Sequence, residues 1–121
     1  MMINTCFGKT GNGGFAEALV YGADNGAHVS SNSWGYTSAG SYSSAVLDAI
    51  DYADDAGTAV VFAAGNDNSN EDYYPGFYDT TIAVAATDSS GKAASFTVYG
   101  SHVDISAPGV SVLSTVTVED G

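Results

Sequence analysis

Two spacings of apolar residues alternate along this chain. Phe15, Ala18, Leu19 and Ala23 recur three and four apart, which predicts a helix over residues 15–24. Glu17 sits favourably in its first turn, and Asn25-Gly26 supplies the stop. The same period at Val46, Leu47, Ile50 and Ala53 predicts a second helix over residues 42–56, ended by Gly57. Asp48, Asp51 and Asp55 fall on its outer face, where solvation is the default role. Between and after these stretches, short apolar runs bounded by turn residues predict strands over 27–32, 58–64 and 81–86. A further short strand is expected over 3–7. The end of the chain reads as strands over 103–106 and 110–116 around the turn Ala107-Pro108-Gly109, with residues 92–96 weakly extended.

Strands alternating with helices imply right-handed crossovers and one α/β domain over residues 1–121. Its sheet should be mainly parallel, with helices on its faces. In such sheets ligands bind outside the carboxyl ends of the strands. Here those ends are Ser33-Trp34-Gly35 and Ala63-Ala64-Gly65-Asn66. The second is the more suggestive, because an apolar run, Val60-Val61-Phe62, stops abruptly in small residues and delivers one amide side chain. On local sequence alone, Asn66 reads equally as a turn residue before Asp67-Asn68, and Trp34 as a core or loop-anchoring aromatic.

Composition narrows the partners. A hydrophobic content of 45% is enough for a packed core despite a formal net charge of -12. Only Lys9 and Lys92 oppose fourteen acidic residues, which disfavours nucleic acid and anionic membranes and suits cations or basic peptides. Solubility alone explains the acidity equally well. The single cysteine, Cys6, excludes an internal disulfide and reads as a small buried hydrophobe. No window approaches a membrane span, and residues 1–5 lack the basic start of a signal peptide, so the sequence leaves localisation unassigned. The glycine-rich stretch 8–14 matches neither the P-loop nor the dinucleotide fingerprint.

Taken together, the motifs resemble a subtilisin-type serine protease, through the middle part of that family's catalytic domain. Asn25-Gly26-Ala27 followed by Ser33-Trp34-Gly35 resembles its substrate-binding strand, and Ala63-Ala64-Gly65-Asn66 its oxyanion-hole motif. Tyr74-Pro75 resembles a wall of the pocket for the residue before the scissile bond. Ser95-Phe96-Thr97-Val98-Tyr99-Gly100 and Ala107-Pro108-Gly109-Val110 resemble two further signatures. Each is short, and their shared order and spacing carry the resemblance. It implies that Asn66 donates its amide to the oxyanion of a tetrahedral intermediate. It implies that Ser33, Trp34 and Gly35 pair with an extended peptide or protein substrate as an added strand. Trp34, Ala63, Ala64, Gly65, Tyr74 and Pro75 would line a pocket for an apolar side chain.

The resemblance is incomplete. The family's catalytic aspartate and its His-Gly-Thr-His type motif lie upstream of the matching region, and its Gly-Thr-Ser-Met-Ala nucleophile motif lies downstream; none occurs in this sequence. A substitute triad would need His28 or His102 as base. His28 stands five residues before Ser33, about 16 Å away along a strand at roughly 3.3 Å per residue, and His102 likewise precedes its strand. The expectation is therefore a partial peptidase domain with little or no activity alone. The rival readings are a non-catalytic peptide-binding or self-assembling module and a small hydrolase with an unrecognised site.

Two further expectations follow from the resemblance. In the family, a strand from the upstream region lies between those matching residues 3–7 and 28–32, so a homodimer or strand exchange across that gap is expected. Many subtilisin-like proteases bind calcium, and Asp104 matches a ligand of a peripheral site near residues 75–78. His102, however, stands where a carboxylate would help, and imidazole is a poor calcium ligand. Asp67, Glu71, Asp72 and Asp79 match no defined loop. No cofactor and no assigned metal site are expected, with calcium left open as the one alternative.

Overall fold

The computed structural model describes residues 13–115. Six elements follow in order: α1 (Gly13–Asp24), β1 (Val29–Asn32), α2 (Ser44–Asp55), β2 (Ala59–Ala63), β3 (Ile82–Thr87) and β4 (Ile105–Pro108). The strands form one parallel sheet in the order β1-β2-β3-β4. The connection β1-α2-β2 is a crossover of the kind the alternating pattern predicts. The β2 to β3 connection instead runs as a long loop.

Helix α2 forms where the apolar period is strongest, and it buries Val46, Ala49, Ile50 and Ala53. With Leu19 of α1, these side chains pack onto Val60 and Phe62 of β2 in one core cluster. Both helices thus share a sheet face. Register carries that face across the sheet, because Phe62 is level with Ala83, and both are buried. The intervening residues face the other way. Val29, Ile82 and Ile105 there are 59%, 39% and 57% exposed, so among the described residues the second face is apolar and open to water.

Polar contacts fix the helices at their edges. The Tyr52 hydroxyl donates to Asp24 Oδ1 at 2.6 Å, tying α2 to the end of α1, and this bond to a carboxylate raises the phenol's pKa. The Thr58 hydroxyl donates to the Ala27 carbonyl at 2.7 Å. Asp51 accepts from both Tyr78 and Thr80, at 2.7 and 2.8 Å, pinning the long β2–β3 loop to α2.

The end of the chain departs from expectation. The strand expected at 103–106 begins later and takes in Ala107 and Pro108, which the sequence had suggested as a turn. Asp104 is the reason: its N–H and its carboxylate both bind Ala83, at 3.1 and 2.8 Å, so the ladder opens there. Pro108 closes it, where its missing N–H is tolerated. No strand forms over 110–115, where Ser111 at φ 54 interrupts the extended path. Residues 92–96 contribute one antiparallel bridge, Thr87 to Ala93. The turn before it is held by Asp88, whose carboxylate accepts from the Ser90 hydroxyl and from the Ser90 and Lys92 N–H groups, and these bonds lower its pKa. The strand expected at 3–7, with Cys6 and Lys9, lies outside the described residues.

Candidate active site

In a parallel sheet all carboxyl ends lie on one side, and the candidate residues collect there. At the end of β1, the Asn32 amide donates to the Val61 carbonyl at 3.2 Å and to the Ser30 hydroxyl at 3.0 Å. Its oxygen accepts from the Trp34 indole N–H at 3.2 Å. Trp34 stacks on Phe15 with ring centroids 4.2 Å apart and meets Phe62 edge-on at 5.0 Å. Its side chain therefore fastens the strand end to the core cluster, and the neighbouring Ser33 and Gly35 are exposed.

The loop carrying Tyr74 and Pro75 crosses beneath the ends of both β1 and β2. The Tyr74 carbonyl accepts from the Tyr36 N–H at 2.9 Å and lies 3.1 Å from where a Cβ on Gly35 would sit. Two residues on, a Cβ on Gly76 would stand 2.6 Å from the Ala63 carbonyl oxygen. Backbone meets backbone there, so only glycine permits the approach. The Tyr74-Pro75 bond is cis. Tyr74 turns its ring toward Tyr42 and Phe77, at 5.3 and 5.6 Å.

At the end of β2, Ala63 is exposed, Ala64 is buried, and Gly65 takes φ +124, a conformation that favours glycine. Asn66 follows, exposed on the same side as Ser33 and Gly35. The structure thus brings Ser33, Trp34, Gly35, Ala63, Ala64, Gly65, Asn66, Tyr74 and Pro75 to one side of the sheet. The arrangement offers two exposed strand ends side by side and an amide donor beyond one of them. Chemically, it can hold an extended chain and stabilise negative charge near Asn66.

The histidines lie elsewhere. His28 precedes β1 and His102 precedes β4, at the amino ends of their strands. His102 packs its ring against Phe77 at 4.9 Å, and its Nε2 is buried without a hydrogen-bond partner. The Asp104 carboxylate accepts from the Ala83 N–H through Oδ2 at 2.8 Å. Asp67, Glu71, Asp72 and Asp79 are exposed, and no group of three or more potential ligands gathers among the described residues.

Sequence reasoning missed Asn32 and Gly76, both of which shape the site. A polar residue inside an otherwise strand-like run beside a lone tryptophan was the available signal for Asn32. For Gly76 the signal was only its place after Tyr74-Pro75. No helix among the described residues is long and apolar enough to cross a membrane.

Comparison with known proteins places the chain in a family. Residues 4–120 match the model of the Subtilase family, Peptidase_S8. The chain is 43% identical over 100 residues to thermitase of Thermoactinomyces vulgaris, covering 83% of this chain and 35% of that protein. It is 41% identical over 102 residues to the thermophilic serine proteinase of Bacillus sp. strain AK1, covering 84% of this chain and 25% of that protein. Among solved structures, a cold-adapted subtilisin-like serine proteinase superposes with a TM-score of 0.74 at 31% identity, over 86% of this chain and 38% of that one. The chain therefore spans only a quarter to two-fifths of the length of these relatives. Its sequence and its parallel sheet agree, and the chain belongs to the subtilase family.

Proposed function

We propose that this chain is the peptide-binding and oxyanion-stabilising part of a subtilisin-like peptidase domain, with the acid, base and nucleophile supplied from outside it. The observation that carries the reading is the exposed Asn66, three residues past the carboxyl end of β2, with the exposed Ser33 and Gly35 past the carboxyl end of the neighbouring parallel strand β1. An extended peptide laid along residues 33–35 gains backbone hydrogen bonds regardless of its sequence. Its carbonyl, on being attacked, develops negative charge that a fixed amide donor stabilises. Both histidines stand at the opposite ends of their strands from Asn66, which argues against proton abstraction by either one.

Incubating the 121-residue chain with a fluorogenic peptide and a fluorophosphonate probe tests this. The expected result is peptide binding, with neither turnover nor covalent labelling. Turnover accompanied by a labelled serine would instead make the chain a small hydrolase with its own site.

A second reading concerns assembly. Among the described residues, β1 has no neighbour on its outer edge, and α1 overhangs that edge to form a groove of about 800 Å³. Phe15, Leu19 and Ala23 line it from above, and Val29 to Asn32 from the side. A strand occupies roughly 160 Å³ per residue, from spacings of about 4.8 by 10 by 3.3 Å, so the groove suits one of about five residues. We propose that a second copy supplies such a strand, since unpaired edges invite pairing. Light scattering at high concentration is expected to give a dimer. A monodisperse monomer would remove this reading.

A further inference from the structure

We infer that Val98 is the positioning residue for the Asn66 amide. The inference rests on the reading of Asn66 as an oxyanion donor and asks what holds that donor still. An oxyanion donor works by being preorganised, with its nitrogen about 3 Å from the place where charge develops. Asn66 is exposed and makes no side-chain hydrogen bond within the described residues, so its direction must come from the backbone around it.

That backbone is clamped by the strip 96–99. The Val98 N–H donates to the Gly65 carbonyl at 3.1 Å, just before Asn66. The Asn68 N–H donates to the Phe96 carbonyl at 2.8 Å, just after it, and the Tyr99 N–H donates to the Ser69 carbonyl at 3.0 Å. The side chain of Val98 completes the lock. It is fully buried, and its Cγ2 stands 2.9 Å from where a Cβ on Gly65 would lie. Val98 thus fills the space that a side chain at position 65 would take, and Gly65 can hold its φ of +124 against it.

The strip is itself anchored to the sheet. Thr97 is buried, and its hydroxyl accepts from the Ala86 N–H of β3 at 2.9 Å while donating to the Val98 carbonyl at 3.2 Å. A continuous path therefore runs from β3 through Thr97 and Val98 to Gly65 and Asn66. Val98 touches no substrate on this view; it acts through the loop it braces.

The test is ¹⁵N relaxation of the backbone and side-chain amides of Asn66 in the full 121-residue chain. It compares the native chain with Val98→Ala, which empties the space beside Gly65, and Val98→Thr, which keeps the shape but adds a polar atom. In the native chain the Asn66 order parameter is expected at about 0.85, and in Val98→Ala below about 0.6, with the amides of α2 unchanged. Val98→Thr is expected to lower the melting temperature yet keep Asn66 ordered, a split that general destabilisation would not produce. Equal order in the native chain and Val98→Ala, or an equal fall in both variants, overturns the proposal. If Val98→Ala loses the fold, Thr97→Val decides: order at Asn66 falls and returns in Thr97→Ser, whereas unchanged order in Thr97→Val overturns the proposal. The readout involves no peptide and no turnover, so its failure leaves the oxyanion reading standing, and failure of that reading leaves the clamp intact.

Discussion

A chimera of thermitase that carries this chain in place of its corresponding stretch is expected to lose about 100- to 1,000-fold in kcat when Asn66 is changed to Leu, with KM little altered. The magnitude is the one known for removing such a donor from a subtilisin, about 2.7–4 kcal/mol of transition-state stabilisation. It applies here on the proposed reading of Asn66 as an oxyanion donor, an exposed residue in the loop after β2 whose backbone is held on both sides. The split between kcat and KM follows from when the contact forms. A donor aimed at an oxyanion meets little charge in the bound substrate and full charge in the transition state, so removing it leaves binding nearly intact. Steady-state kinetics on a peptide anilide measure both. Should Asn66→Leu prove as fast as its parent, Asn66 would be a turn residue and nothing more.

Changing Phe62 to Ala is expected to destabilise the fold by about 3–5 kcal/mol, read from the shift in urea midpoint. Domain stabilities run to about 5–15 kcal/mol, so this one truncation removes a large share. Phe62 is fully buried and lies in the cluster that joins α1, α2 and β2, so little can move in to fill the gap. It also meets Trp34 edge-on, and Trp34 in turn stacks on Phe15. Phe62→Leu retains most of the volume and should cost clearly less. A loss under about 1 kcal/mol for Phe62→Ala would mean that the cluster is looser than its burial implies.

How much of this was legible beforehand depends on what each residue reports. The helices were readable because Leu19, Val46, Ile50 and Ala53 keep one period and bury one face. The central strands were readable because Val60 and Phe62 sit in an apolar run bounded by turn residues. The last strand was misjudged because its start is set by a tertiary contact, Asp104 to Ala83, across twenty-one positions of sequence. A local pattern holds no information on such a contact, and Pro108 misleads further by reading as a turn. Trp34 was legible in part at the site. Local sequence allowed a core or loop-anchoring aromatic, and Asn32 and Phe15, which only the fold brings to it, are the groups that hold its ring.

The apolar sheet face left open among the described residues has a colloidal consequence. Val29, Ile82 and Ile105 present hydrocarbon to water on a molecule whose formal charge is -12. At low ionic strength, like charge keeps such faces apart over about 30 Å, but at 0.15 M the screening length falls to about 8 Å. Added salt, which for most acidic proteins merely weakens surface contacts, here withdraws the repulsion that keeps these hydrocarbon faces from meeting.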